Sequence, residues 1–355
     1  MKIILSGGGT FGSVSPLIAL YQEISGKNPA EFVWVGTKNG QEREFVSNYG
    51  IDFYSISSGK LRRYFSWQNF FDFFKILAGF FQSVKFLKKH KPDLVITAGG
   101  FVSVPLVWAA YFLKIPSLCH QQDIRPGLAN KLMAPFAETV TVTFEKSFSD
   151  FKEAVLTGNP VRKEILSGFK EKVYQDLNLD PSAALVLILG GGTGSAAINN
   201  LVYDSIADLA NFCQVIHITG KGKAVKVFSR RYLQYEFVQR GLNDMMAAAD
   251  LIVCRASMSL LSEAAVLKKP CVVIPLPNSH QEENALYFHK NNAAVYLKED
   301  ELDKTAFVSA LERILSDKSL LINLSRNVSK LMSAEGAKNL AEVALKIIRT
   351  KKHGL

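Results

Sequence analysis

The chain has 355 residues, 48% of them hydrophobic and 21% charged, enough for about two domains that each bury a core without disulfides or a metal. Cys119, Cys213, Cys254 and Cys271 lie far apart, which excludes a zinc ribbon and a disulfide framework and fits a reducing compartment. Only a few apolar residues precede the first glycines, too few for a signal-peptide core or a spanning helix, so the expectation is a protein neither secreted nor transmembrane. The net charge of +10 admits nucleic acid, anionic lipid or a phosphorylated ligand as partner.

In chain order, an apolar strand over residues 2–5 leads into the turn Gly7-Gly8-Gly9-Thr10-Phe11-Gly12-Ser13 and a helix from Pro16. Further strands read at 32–35, 94–97, 117–119 and 140–142, with helical patterns between most of them. Alternation of this kind predicts a parallel sheet of α/β class. The second half repeats the opening: an apolar run at 184–189 enters Gly190-Gly191-Gly192-Thr193-Gly194-Ser195, and strands follow at 214–218, 251–254 and 271–275. Two G-G-G-T turns after apolar strands predict two similar domains, residues 1–162 and 163–337, with a closing helix over about 338–355.

A glycine turn between strand and helix brings backbone N–H groups and a helix N-terminus to a phosphate. Gly7, Gly9 and Gly12 satisfy G-x-G-x-x-G, but the second strand ends Val35-Gly36-Thr37 without the acid that holds a dinucleotide ribose, which counts against nicotinamide binding. Neither turn continues as G-K-[ST], so a P-loop is excluded. Polar groups also gather at strand ends in His120-Gln121-Gln122-Asp123 with Asn130, in Arg255 through Met258 to Ser262-Glu263, and in His280-Gln281 to Asn284. Glu263 can cap a helix or accept ligand hydroxyls. Arg162, after Gly158-Asn159-Pro160-Val161, is a guanidinium suited to a diphosphate or to a surface ion pair.

Taken in order, the 8–16 glycine turn with its proline, Gly99-Gly100-Phe101, His120 to Asp123, Gly158 to Arg162, the 190–194 turn, Met245 to Asp250, Arg255 to Glu263, and His280 to Asn284 resemble the MurG family. These are UDP-N-acetylglucosamine:lipid I N-acetylglucosaminyltransferases. The resemblance spans nearly the whole chain. It implies a GT-B fold, two Rossmann-like parallel-sheet domains facing across a cleft, with the C-terminal helix returning to the first. It implies UDP-GlcNAc held mainly by the second domain, a polyprenyl-diphosphate-linked muramoyl-peptide held by the first, and inverting transfer with no cofactor and no metal. Carried over by position, Arg162, Gly192, Asn199, Arg255, Met258, Ser262, Glu263, Gln281 and Asn284 would bind the donor, and Asn130 would be a first-domain contact. Thr10, Phe11 and Gly12 would meet a diphosphate.

The chain departs from the family where Ser13 replaces a histidine after the last glycine, Phe101 a tyrosine, Gln121 a glutamate and Asp123 an asparagine. A serine hydroxyl is too weak a base near neutral pH, which leaves Asp123 or His120 as the expected base. A relative acting on another lipid-linked acceptor, and a weak UDP-sugar-binding paralogue, are the alternatives.

Between Lys60 and His90 seven lysines and arginines face one acid, Asp72, among ten aromatic residues. Gln68, Asn69, Asp72, Lys75, Gly79 and Gln82 recur at helical steps, leaving a broad apolar face. That face suits burial on the sheet. It also suits an interfacial anchor, with Trp67, Phe70, Phe71, Phe74 and Phe81 in lipid and Lys85 among the cations at an anionic membrane surface. The resemblance places such a peripheral protein on the cytoplasmic face of the membrane. Nucleic acid is disfavoured, because single strands stack on exposed sheets or grooves.

Overall fold

The structure is a computed structural model that describes residues 1–59, 67–227, 229–238 and 240–353; Lys60, Arg62, Arg63 and the side chains of Trp67, Gln68, Asn69 and Phe71 lie outside what it describes. The chain forms two compact units, Met1–Arg162 with Ala334–Leu355, and Lys163–Ser333.

The first unit holds strands β1 (Lys2–Ser6), β2 (Glu31–Gly36), β3 (Asp52–Ser55), β4 (Leu94–Thr97), β5 (Ser117–Gln121), β6 (Thr139–Val142) and β7 (Val155–Leu156). Its helices are α1 (Ser15–Ser25), α2 (Glu42–Ser47), α3 (Trp67–His90), α4 (Ser103–Phe112) and α5 (Leu128–Met133). The strands form one parallel sheet in the order β3-β2-β1-β4-β5-β6-β7. Ile3, Ile4 and Leu5 are buried on both faces of the sheet, as central parallel strands demand.

The second unit runs α6 (Lys170–Asp176), β8 (Ala184–Leu189), α7 (Ala196–Leu209), β9 (Cys213–Ile218), β10 (Tyr232–Tyr235), α8 (Leu242–Ala248), β11 (Leu251–Cys254), α9 (Met258–Val266) and β12 (Cys271–Val273). It closes with α10 (His280–Lys290), β13 (Val295–Tyr296), α11 (Lys304–Ser316) and α12 (Lys318–Leu331). Its six strands are parallel in the order β10-β9-β8-β11-β12-β13. The last helix, α13 (Gly336–His353), belongs to the first unit, where Leu340, Ala341, Ala344 and Ile348 join Leu17, Ile18 and Ile24 in one apolar cluster.

Each sheet reverses its winding beside its first strand, between β1 and β4 and between β8 and β11. The crevice beyond the carboxyl ends at such a point is where doubly wound sheets take ligands. Both G-G-G-T turns start there.

The basic aromatic segment forms α3, and its inward stripe is Asp72, Ile76, Gly79, Ser83, Phe86 and Leu87. This corrects the expectation from helical spacing, which sets Asp72 and Gly79 apart from the broad apolar face. Small size decides it for Gly79, where a Cβ would come within 2.1 Å of the Ser57 carbonyl. Phe70, Phe73, Phe74, Leu77 and Phe81 point outward, and Phe80 is half-buried against α4. Lys85, Lys88 and Lys89 are exposed near the helix end.

Candidate functional site

In the first unit, the turn after β1 is held by its own side chains. The Gly8 N–H donates to Ser13 Oγ at 3.1 Å, and that hydroxyl lies 3.4 Å from the Thr10 carbonyl. Trp34, fully buried, donates its indole N–H to the Gly7 carbonyl at 3.0 Å. Ser13 is therefore a fastening of the loop. Thr10 at the tip is exposed, Phe11 packs edge-on to Phe45 with centroids 5.2 Å apart, and Gly12 is half-buried.

Glu42, which the sequence reading passed over, is buried against this turn. Its carboxylate accepts the Thr37 N–H at 2.8 Å, the Thr37 hydroxyl, and the Gly9 N–H at 3.4 Å. It fills the space that a Cβ at Gly8 or Gly40 would need. No spacing marks a glutamate five positions beyond Thr37 as its partner; only the fold of α2 onto the turn does.

The turn after the neighbouring strand β4 carries Gly99 and Gly100, both left-handed, with φ of 103° and 93°. A side chain at Gly100 would meet the Gly8 carbonyl at 3.0 Å, so the two glycine turns touch at the switch point. Beyond β5, Gln121 donates to the Asp123 and Arg125 carbonyls at 2.7 and 3.2 Å and accepts from Asn130 at 2.6 Å. Asn130 is buried, and its Oδ1, which faces Gly99, has no hydrogen-bond partner among the described residues. An unpaired buried acceptor costs free energy unless a ligand donor meets it. Asp123 is half-buried at the rim.

His120 lies elsewhere. It is fully buried in β5, with Nδ1 at 3.0 Å from Thr141 Oγ1 and Nε2 at 3.1 Å from Asn159 Oδ1. Burial lowers its pKa to about 4, against a smaller opposing effect of the Asn159 hydrogen bond. A neutral ring donates from Nε2 to the amide oxygen and accepts the threonine hydroxyl at Nδ1. Both nitrogens are spent and neither reaches solvent, which corrects the expectation that His120 is a candidate base: it fastens the segment around Asn159. Arg162, half-buried, lies over the Phe45 ring at 5.7 Å.

In the second unit the turn after β8 is equally tight. Gly194 has φ of 71°, and a Cβ there would come within 1.9 Å of the Thr219 carbonyl. Gly192 is exposed at the tip, and Lys223 Nζ donates to the Thr193 carbonyl at 3.0 Å. Ser195 caps α7 by accepting the Ile198 N–H at 3.4 Å. Asn199 is buried behind the turn, donating to the Thr219 carbonyl at 2.9 Å, with Oδ1 3.1 Å from His217 Nε2. His217, whose Nδ1 lies 2.8 Å from the Tyr232 hydroxyl, has its pKa lowered to about 4 by burial.

Arg255 follows β11, and Met258 opens α9. Met258, Ser262, Glu263 and Asn284 are buried. The Ser262 hydroxyl donates to the Met258 carbonyl at 2.6 Å, and Asn284 Nδ2 to the Ala256 carbonyl at 3.0 Å. Gln281 is half-buried, its Oε1 accepting the Leu276 N–H at 3.1 Å. The fold thus gathers Gly192, Asn199, Arg255, Met258, Ser262, Glu263, Gln281 and Asn284 around the carboxyl ends of the second sheet. Several of them support the rim and present no side chain outward.

A model of the glycosyltransferase family 28 N-terminal domain matches residues 3–142, and one of the C-terminal domain matches residues 185–342. The UDP-N-acetylglucosamine–N-acetylmuramyl-(pentapeptide) pyrophosphoryl-undecaprenol N-acetylglucosamine transferase of Clostridium botulinum (strain 657 / Type Ba4) is 40% identical over 353 residues, covering 97% of this chain and 99% of its own. The enzyme of the same name from Clostridium tetani (strain Massachusetts / E88) is 38% identical over 336 residues, covering 92% and 94%. Among solved structures, Acinetobacter baumannii MurG superposes with a TM-score of 0.73 at 22% identity, covering 97% of this chain and 99% of that one. The UDP-GlcNAc 2-epimerase of Neisseria meningitidis bound to UDP-GlcNAc gives 0.72 at 14% identity, covering 98% and 100%; at such identities these two likenesses concern the fold alone. Matched in both halves and along nearly its whole length, the chain belongs to the MurG family of family 28 glycosyltransferases, built from two Rossmann-like parallel-sheet domains of the GT-B class.

Proposed function

We propose that the chain transfers N-acetylglucosamine from UDP-GlcNAc to the 4-hydroxyl of the muramoyl sugar of lipid I, giving lipid II. The full-length likeness to enzymes of that name carries this reading. The pair of glycine turns at the two switch points supports it, since exposed turn tips at helix N-termini suit diphosphates. The second unit is read as the donor side, with Glu263 on the ribose hydroxyls, Gln281 and Asn284 near the sugar, and the 190–194 turn on the diphosphate. The first unit is read as the acceptor side, where the unpaired Asn130 oxygen awaits a donor.

The reaction is read as an inverting displacement without a metal. The acceptor hydroxyl attacks the anomeric carbon, the bond from that carbon to the UDP oxygen breaks, and the hydroxyl proton passes to Asp123. Fixed N–H donors meet the charge that develops on UDP, where preorganised dipoles act most strongly.

Phe70, Phe73, Phe74 and Phe81, exposed beside Lys85, Lys88 and Lys89, support peripheral attachment to an anionic membrane surface on the cytoplasmic side. Among the described residues no helix is long and apolar enough to cross a membrane.

The test is transfer of labelled GlcNAc from UDP-GlcNAc to lipid I, run beside Glu263→Ala. Lipid II is expected from the wild type only. Stabilisation by UDP without transfer would point to a weak paralogue, and stabilisation by NAD alone would overturn the reading.

A further inference from the structure

The Arg255 guanidinium spans four neighbouring strand ends of the second sheet. Arg255 follows β11 and is 6% exposed. Its Nη2 donates to Ser195 Oγ, at the end of the β8 turn, at 2.7 Å. Its Nη1 donates to the Ile274 and Pro275 carbonyls, at the end of β12, at 3.1 and 2.9 Å. The same nitrogen forms an ion pair, without a hydrogen bond, with the buried Glu299 Oε2 in the short 3-10 turn Glu299–Glu301 that follows β13. Those four strands lie side by side in the order β8-β11-β12-β13.

The charged partner decides what this arrangement does. Carbonyls and a hydroxyl satisfy the hydrogen bonds of a buried guanidinium but leave its charge uncompensated, and such a charge is costly. Glu299 is the carboxylate that supplies the compensation, and its side chain is itself only 24% exposed. The planar fork of arginine reaches several acceptors from one fixed position. It therefore ties the cap of α7, just behind the 190–194 turn, to the loop that starts at Pro275 and continues through Leu276 to Gln281.

We propose that Glu299 is a positioning residue for nucleoside-diphosphate-sugar binding. By holding Arg255 in place, it keeps the glycine turn and the 275–281 loop in the register that the donor requires. The inference rests on the donor-side reading of the second unit. It replaces a direct nucleotide contact by Arg255 with a clamp that acts through the backbone, and it assigns a role to a glutamate that no motif singles out.

The test compares the full chain with Glu299→Gln, Arg255→Gln, the double variant and Glu299→Asp. UDP affinity is measured by calorimetry, and KM is measured for UDP-GlcNAc and for lipid I. Glu299→Gln is expected to raise the UDP Kd and the UDP-GlcNAc KM about ten-fold, a mid-range coupling for one network. The KM for lipid I should stay within two-fold, roughly the scatter for uncoupled sites. Adding Glu299→Gln to Arg255→Gln should cost less than about two-fold more, because the clamp is already lost. Glu299→Asp, which keeps the charge on a shorter stem, should fall between wild type and Glu299→Gln, and it serves as the readout if the glutamine variant does not fold.

Donor affinity unchanged in folded Glu299→Gln, or independent losses in the double variant, overturns the proposal. A lowered melting temperature with both KM values unmoved also overturns it, since that is the mark of a merely structural pair. Wild-type chain that binds no UDP removes the donor-side reading and this inference together; wild-type binding with an unaffected Glu299→Gln removes this inference alone.

Discussion

The outward face of α3 allows the membrane reading to be put in numbers. Phe70, Phe73, Phe74 and Phe81 are 53 to 63% exposed. With about 200 Å² for an aromatic side chain, each leaves roughly 115 Å² in water, worth about 3 kcal/mol at about 25 cal/mol per Å². If half of that area enters the lipid boundary, each phenylalanine contributes about 1.5 kcal/mol, close to ten-fold in partitioning. Phe81→Ser should therefore weaken binding to phosphatidylcholine vesicles containing a third phosphatidylglycerol by about ten-fold. The quadruple serine variant should lose binding by about four orders of magnitude. Folding stability should barely change, because these rings are already in water in the folded chain. Co-sedimentation measures the partitioning and thermal unfolding the stability. Ile322→Ser is the control, a residue 57% exposed on α12 and outside the patch. Raising salt should weaken the contribution of Lys85, Lys88 and Lys89 through screening. Wild-type binding by Phe81→Ser, or an equal loss in Ile322→Ser, would refute the reasoning.

The buried histidines predict acid sensitivity. His120 and His217 have pKa values lowered to about 4 from an unfolded value near 6.5, so the unfolded chain binds protons first as pH falls. Their contribution is whole above about pH 6.5 and is lost as pH drops toward 4, up to about 3 kcal/mol each. Melting temperature should fall over that window, and His217→Gln should flatten the fall; a slope identical to wild type would contradict the assignment. Gly194→Ala and Gly222→Ala share φ near 70°, but only the first Cβ meets a backbone carbonyl, Gly222 having open space. Gly222→Ala should cost about 1 to 2 kcal/mol of conformational strain, whereas Gly194→Ala should cost more in thermal unfolding and abolish UDP binding; equal effects would argue against a close-packed donor turn. Asp123→Asn should lower transfer at least about 100-fold while leaving UDP affinity intact, and unchanged turnover would remove Asp123 from the mechanism.

Much of this protein could be read without coordinates. Runs such as residues 3–5 and 184–189 are apolar because central parallel strands are covered on both faces, and a glycine turn after each is a local event. The short strands carry no such signal. β3 alternates exposed and half-buried residues, while β7 and β13 are two residues long, so edge strands carried too little pattern to register. Helical spacing identified α3 and its aromatic face, yet periodicity gives the angle between faces and not which one is covered. That depended on α4 and the Ser57 carbonyl, which took the face of Asp72 and Gly79 and left the phenylalanines in solvent.

The site divides in the same way. The order of glycine turns, His120 to Asp123, and Arg255 to Glu263 was sufficient to point to the family and to the strand ends where the candidate site lies. The division of labour among those residues was decided by tertiary packing. His120 and Asp123 stand three positions apart, but β5 buries the first between Thr141 and Asn159 and releases the second at the rim. Glu42 and Glu299 belong to no motif, because their partners, Gly9 and Arg255, are 33 and 44 residues away. Sequence determined which groups reach the carboxyl ends of the sheets, since strand and turn are local. Packing between distant elements decided which carboxylates are buried there and which groups they hold, since compensating a buried charge requires a partner that only the fold brings near.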